Sequence, residues 1–103
     1  MKKILTNAFS INMIADFKDV KVHFEEINPT AIPAEAESQI GHADMAGILT
    51  GILGRPIPVN RGNCKLELGD ELYVAQYIGP RLQEGAVNLP EGATIRYFRV
   101  TLE

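Results

Sequence analysis

One stretch with helical periodicity lies between segments whose apolar residues alternate. In that stretch apolar side chains recur at spacings of three and four: Met45, Ile48, Leu49, Ile52 and Leu53. This spacing gathers them on one face of an α-helix. We predict that the helix begins between His42 and Asp44 and ends at Gly54, because glycine readily adopts the left-handed conformation that closes a helix.

Short apolar or alternating runs on both sides of this helix predict strands. The predicted strands are residues 2–5, 20–25, 65–68, 72–77 and 94–102. The aromatic residues of the last two are expected to pack within the sheet: Tyr73, Tyr77, Tyr97 and Phe98. We therefore expect a single small α/β (α+β) domain over residues 1–103. Its mixed sheet should have about four or five strands flanked by helices.

Two more local predictions concern helical segments. Residues 34–40 are expected to form a short helix that Gly41 interrupts. Ser10 is expected to cap one or two helical turns, since its hydroxyl can accept a bond from a free backbone N–H.

Gly47 and Gly51 lie in the main helix, where each costs about 1 kcal/mol relative to alanine. Close approach by a strand or a partner would explain these glycines.

The length and charge of the chain restrict its partners. A chain of 103 residues buries roughly two-thirds of its unfolded surface and forms one core, without a deep enclosed pocket. A pocket for a large ligand is therefore expected between subunits or under a loop. The net charge of −3 argues against duplex DNA, which is bound through clustered cations. A local anion site remains compatible with four basic residues: Arg55, Arg61, Lys65 and Arg81.

Cysteine and histidine are too sparse for the common metal sites. Cys64 is the only cysteine, and the sequence has two histidines, so we expect no internal disulfide, no metal and no cofactor. No apolar run approaches the roughly 20 residues that span a bilayer. We expect a soluble protein that stays in the cytoplasm.

His42 is the stronger histidine candidate for catalysis. Cleavage of an RNA phosphodiester can use the ribose 2′-hydroxyl as nucleophile, so the protein needs to position it, stabilise the phosphate and protonate the leaving oxygen. His42 follows Gly41 at a predicted helix start, where backbone N–H groups attract anions. A histidine that only caps the helix fits this pattern equally well. His23 lies on the polar face of a predicted strand and is expected at the surface.

Three amide side chains are candidates for base recognition, because an amide can pair with adenine. Asn7 and Gln76 lie at or near strand ends, where ligand sites often lie. Asn12 follows Asn7 by a few residues in the sequence. Turn formation by Asn7 and simple exposure of Gln76 are alternatives that the pattern alone favours. Arg81 and Glu84 would face one pocket if their segment is helical, and otherwise form a weak surface ion pair.

Three sequence blocks together resemble the small anti-CRISPR ring nucleases of archaeal viruses and bacteriophages: residues 7–13, residues 40–42, and residues 72–76 followed by 81–85. The resemblance covers most of the chain in the same order, and the joint pattern is more specific than any single block. It implies a homodimer that binds cyclic tetra-adenylate, the second messenger of type III CRISPR systems. It further implies cleavage of the ring to linear di-adenylates, which would silence the effector nucleases.

The same resemblance implies roles for individual residues. His42 matches the catalytic histidine and would act as general acid. Arg81 matches the arginine that holds the ligand near the scissile phosphate, and Glu84 matches a carboxylate that assists catalysis. The other matches are ligand-contacting or pocket positions: Asn7, Ser10, Asn12, Arg61 and Gln76. A two-fold dimer would present each active site twice around one shared ring.

The chain departs from the family pattern near these residues. Asp44 stands where a hydroxyl residue is expected near the ligand, and Gly79 and Pro80 change the approach to Arg81. Residues 90–92 replace what is a full helix in longer relatives. Two other functions therefore stay open: a non-catalytic protein that sequesters the messenger, and a regulatory or nucleic-acid-binding protein of a mobile element.

Overall fold

A mixed β-sheet and one α-helix make up the regular structure of the described residues, 2–15, 19–62, 64–82 and 88–103 of a computed structural model. The strands are β1 (Lys3–Thr6), β2 (Val22–Ile27), β3 (Glu37–Ser38), β4 (Glu71–Ile78) and β5 (Thr94–Leu102), and the helix is α1 (Ala43–Leu53). Short 3-10 helices occupy Ile11–Met13 and Pro29–Ala31. The prediction of a single α+β domain with a mixed sheet is confirmed.

The five strands lie in the order β2-β5-β4-β1-β3. Strand β1 is parallel to both β3 and β4, and Leu5 pairs with Ser38 on one side and Tyr73 on the other. Strand β5 is antiparallel to β2 and β4. The carboxyl ends of β1, β3 and β4 therefore lie at the same edge of the sheet.

The two faces of the sheet bury different clusters. Helix α1 covers one face, where Ile48 and Leu49 pack with sheet residues that include Leu5, Tyr73, Ala75 and Tyr97. On the other face a second cluster joins Ile4, Leu72, Val74 and Val100 to Ile14, Cys64 and Leu66. The packing prediction is thus confirmed: Tyr73 and Tyr97 are buried, and the half-buried Tyr77 and Phe98 pack against the two clusters.

Several local predictions are confirmed. Helix α1 ends before Gly54, whose φ of 71° is the left-handed conformation expected at that position. The hydroxyl of Ser10 accepts a hydrogen bond from the backbone N–H of Asn12 at 3.3 Å and caps the first 3-10 helix. His23 is exposed on β2, as its polar strand position predicted.

Two local predictions are wrong, and a third is tested only in part. Residues 34–40 are not a helix, because Glu37 and Ser38 pair with β1 and this pairing outweighs weak helix propensity. Residues 65–68 are not a strand, since Leu66 makes only an isolated bridge to Ile14 before the chain turns. A Cβ added to Gly51 would meet no atom within 4 Å, so no described strand approaches that glycine closely, and the approach of a partner stays a prediction.

Asp70 links the start of β1 to the turn before β4. Its carboxylate accepts hydrogen bonds from the backbone N–H groups of Lys2 at 2.9 Å and Glu67 at 3.0 Å. Burial by itself raises the pKa of Asp70, but these bonds and the Lys2 charge outweigh it and lower the pKa below its ordinary 3.8. A lowered folded-state pKa stabilises the fold above the unfolded-state pKa, and the effect is lost as the pH falls through the folded-state value.

We expect Asp70→Asn to lower the free energy of unfolding by about 1–3 kcal/mol at neutral pH, because it weakens bonds to a buried charged acceptor. The difference from wild type should shrink as the pH falls below 3.8. Urea denaturation of both proteins at several pH values measures this difference in the free energy of unfolding. A difference that stays constant down to strongly acidic pH would contradict the assigned role of the carboxylate.

Candidate functional site

An open cleft of about 1020 Å³ lies at the carboxyl ends of the parallel strands β1 and β4. Its lining residues are Asn7, His42, Ala43, Asp44, Met45, Gln76, Tyr77, Gly79, Arg81 and Leu82. They come from the end of β1, the start of α1, the end of β4 and the loop after β4. Ligand sites of α/β folds often lie at this edge of a parallel sheet.

His42 is the N-cap residue of α1, with an extended backbone, and it is exposed. Its side chain makes no capping hydrogen bond, so the alternative that His42 serves only as a cap has no support from its contacts. His42 borders the cleft beside the first turn of α1, where backbone N–H groups have no acceptor within the helix.

A second cavity of about 470 Å³ adjoins the cleft, and both cavities are lined by Asn7 and His42. Arg61 lines this second cavity, and its Nε donates to the backbone oxygen of Gly41 at 3.0 Å. An added Cβ at Gly41 would lie 3.4 Å from Arg61 Cγ. The guanidinium of Arg61 is therefore held beside the residue that precedes His42.

The loop after α1 carries Arg61 to this position. Ile40 and Val59 form a parallel bridge, and the N–H of Asn60 donates to the oxygen of Ile40 at 2.9 Å. The Asn60 side chain also donates to the oxygen of Ser38 at 3.0 Å. These contacts hold the loop before Arg61 against the segment that leads from β3 to α1.

The two predicted amides meet in the cleft although they are distant in sequence. Asn7 directly follows β1, and Gln76 lies near the end of β4. The Gln76 side chain is exposed, and its Nε2 donates to the backbone oxygen of Tyr77 at 3.1 Å.

The sequence matches the STIV B116-like family over residues 3–98, nearly the whole chain. The chain belongs to the STIV B116-like family. Its fold is also similar to the solved structure of B116 of Sulfolobus turreted icosahedral virus, with a TM-score of 0.79 and 26% identity. That match covers 98% of this chain and 99% of B116. No curated protein matches the sequence.

Of the remaining predicted site residues of this B116-like chain, some line the cleft and others lie away from it. Arg81 is exposed and lines the cleft, whereas Glu84 lies outside the described residues. Ser10 caps the first 3-10 helix and Asn12 lies in it, and neither residue lines either cavity. Only part of the predicted set therefore surrounds the cleft within one chain.

Two of the four cations that could have formed an anion site bind backbone oxygens elsewhere. Arg55 Nη2 donates to the oxygen of Pro33 at 3.1 Å, and Lys65 Nζ donates to the oxygen of Asn12 at 2.7 Å. Neither residue lines the cleft. These cations hold backbone segments, which leaves Arg61 and Arg81 for an anionic ligand.

Tyr77 and Asp44 are cleft residues that the sequence pattern did not assign to the site. Tyr77 is half-buried and packs against the core cluster as expected, and its hydroxyl donates to the backbone oxygen of Pro80. Asp44 drew attention only as a departure from the family pattern. Both residues could have been assigned to the site from their positions, because each lies at the end of an element that leads into the cleft.

The described part of the chain holds no group of three or more His, Cys, Asp or Glu side chains that could bind a metal ion. In the same residues no helix has the length and apolar character of a membrane span. Metal independence stays a prediction that solution experiments test.

Gly79 shapes the wall of the cleft at the end of β4. Its φ of 154° favours glycine, and an added Cβ would lie 2.7 Å from the Cβ and 2.9 Å from the Cα of Ala93. The Cα of Ala93 is a backbone atom and cannot move aside as the flexible end of a long side chain can. We expect Gly79→Ala to lower the free energy of unfolding by about 1–3 kcal/mol.

The matched control is Gly51→Ala in α1, where nothing lies within 4 Å. Because alanine is the better helix former, we expect a gain of about 1 kcal/mol. Thermal or urea unfolding of the two variants should therefore change in opposite directions. Equal stability of Gly79→Ala and wild type would contradict the close contact with Ala93.

Proposed function

We propose that this B116-like protein is a ring nuclease that binds cyclic tetra-adenylate and cuts it to linear di-adenylates without a metal ion. The supporting observation is one cleft that is lined by His42, Arg81, Asn7 and Gln76. An acid, a cation and two amides are the groups that protonation, phosphate binding and adenine recognition require. Through this activity the protein would antagonise type III CRISPR signalling.

The proposed reaction needs little machinery from the protein. The ribose 2′-oxygen attacks the neighbouring phosphorus, and the bond from phosphorus to the 5′-oxygen breaks. Arg81 stabilises the charge of the phosphate, and His42 donates a proton to the departing 5′-oxygen. The products carry a 2′,3′-cyclic phosphate at one end and a 5′-hydroxyl at the other.

A second copy of the chain is part of this proposal. The cleft is open, and a small chain does not enclose a ring of four nucleotides alone. A shallow apolar groove adjoins the cleft through Gln76 and includes Phe9, Phe24, Val74, Phe98 and Val100. Phe24 is 55% exposed, and such an aromatic surface favours burial in an interface. A two-fold dimer through this groove would bring two clefts near each other.

The decisive experiment is product analysis with cyclic tetra-adenylate in the presence of a chelator. Linear di-adenylates are expected, and rings of three and six adenylates measure the preference for ring size. Light scattering with and without the ring determines whether the active species is a dimer. Absence of products at any protein concentration would contradict the nuclease proposal.

The alternative is a binding protein that sequesters the ring without cutting it. Asp44 lines the cleft where the family pattern has a hydroxyl residue near the ligand, and this departure from the pattern motivates the alternative. Calorimetry distinguishes the two functions. Tight binding of the ring with no turnover would select sequestration.

A further inference from the structure

Asp44 is the one carboxylate among the described residues that line the cleft. It lies in the first turn of α1, two residues after His42, and is half-buried. Its Oδ1 accepts a hydrogen bond from the backbone N–H of Met45 at 2.7 Å. Within the described residues no side chain donates to its Oδ2, so one oxygen is anchored and the other is available to a ligand.

A carboxylate beside a phosphate ligand requires a donor on that ligand, because an ionised carboxylate only accepts hydrogen bonds. A cyclic oligoadenylate offers two kinds of donor, the adenine amine and the ribose 2′-hydroxyl. The amides of Asn7 and Gln76 already suit the amine. The 2′-hydroxyl is next to the scissile phosphate, which is the group that His42 and Arg81 would hold.

We propose that Asp44 is a catalytic residue that accepts the proton of the attacking 2′-hydroxyl, an inference that rests on the ring-nuclease function proposed above. As the bond from the 2′-oxygen to phosphorus forms, the proton of that hydroxyl moves to Oδ2 of Asp44. The bond from phosphorus to the 5′-oxygen breaks, and His42 supplies the proton for the leaving oxygen. Asp44 takes up one proton and His42 releases one, so the step needs no further reactant.

The other titratable groups of the described lining do not suit this role. The Arg81 guanidinium has no acceptor, and the Tyr77 hydroxyl already donates to the backbone oxygen of Pro80. His42 carries the proton for the leaving group and cannot at the same time accept one. The short bond from Met45 N–H restricts the Asp44 carboxylate, and a positioned base contributes about 10²–10⁴-fold to a rate.

The test variant is Asp44→Asn, which keeps an oxygen for the Met45 N–H but cannot accept the proton. We expect its single-turnover cleavage of cyclic tetra-adenylate to fall about 10²-fold or more. Affinity for a ring with 2′-O-methyl groups, which cannot be cut, should be retained, and thermal unfolding should match wild type. Glu67→Gln, at an exposed residue outside the cleft, is the matched control and should cut normally.

A ring with sulfur in place of the scissile 5′-oxygen separates the base from the acid, since a thiolate leaves without protonation. This ring should restore cleavage by His42→Ala and should not restore cleavage by Asp44→Asn. Restored cleavage by Asp44→Asn, or normal cleavage of the ordinary ring by this variant, would overturn the proposal. Failure of wild type to cut any ring would instead refute the nuclease function itself.

Discussion

Replacing His42 with alanine is expected to lower the single-turnover rate of ring cleavage by about 10²–10⁴-fold, because the leaving 5′-oxygen loses its proton donor. Binding of cyclic tetra-adenylate should persist, since the imidazole is exposed at the cleft edge and makes no capping bond that the fold requires. Rapid-quench kinetics with excess enzyme measures the cleavage step, and calorimetry measures binding.

His23→Ala is the matched control for this prediction. His23 is exposed on the edge strand β2 and does not line the cleft, so its replacement should leave cleavage unchanged. If His42→Ala instead cut the ring at the wild-type rate, another group would be the acid, and the assignment from the cleft geometry would be wrong.

Replacing Leu49 with alanine is expected to lower the free energy of unfolding by about 2–5 kcal/mol. Leu49 is fully buried in the cluster that joins α1 to the sheet, so truncation removes apolar contacts and leaves a cavity. Urea denaturation followed by circular dichroism measures the loss. Because α1 also carries Asp44 and begins after His42, the loss should be accompanied by weaker ring binding near the unfolding transition.

Ile52→Ala provides the comparison within the same helix. Ile52 belongs to the predicted apolar stripe, yet its side chain is 42% exposed, and we expect its truncation to cost well under 2 kcal/mol. Similar losses for the two variants would mean that α1 packs on the sheet with a different face. A larger loss for Ile52 in a dimer than in a monomer would place that residue in an interface.

The two arginines of the site differ in how they are held. Arg61 is tied to the backbone of Gly41 at 3.0 Å, whereas the exposed Arg81 lies in the loop between β4 and β5. A tethered cation costs little entropy when a phosphate arrives, and a cation on an exposed loop adapts to its ligand. The cleft therefore holds one adaptable positive charge, and the second cavity beside it holds one preorganised charge.

Local periodicity was sufficient to predict the elements whose pattern is regular. The helical stripe and Gly54 defined α1, and the alternation over residues 94–102 defined β5, because both signals depend on neighbours within a few positions. The exposure of His23 followed from the same reasoning. The candidate cleft residues His42, Asn7 and Gln76 were also identified by residue type and by their places at the ends of elements.

Tertiary structure decided the rest. The two-residue strand β3 exists because the edge of β1 accepts it, although its own sequence suggested a helix. Parallel pairing of β1 with β4 brings Asn7 and Gln76 to one cleft across a long sequence separation, and no local pattern encodes that distance. The cation set was likewise divided by contacts, since Arg55 and Lys65 bind backbone oxygens and only Arg61 and Arg81 face the cavities. Sequence determined which residues can do chemistry, and long-range strand pairing determined which of them meet.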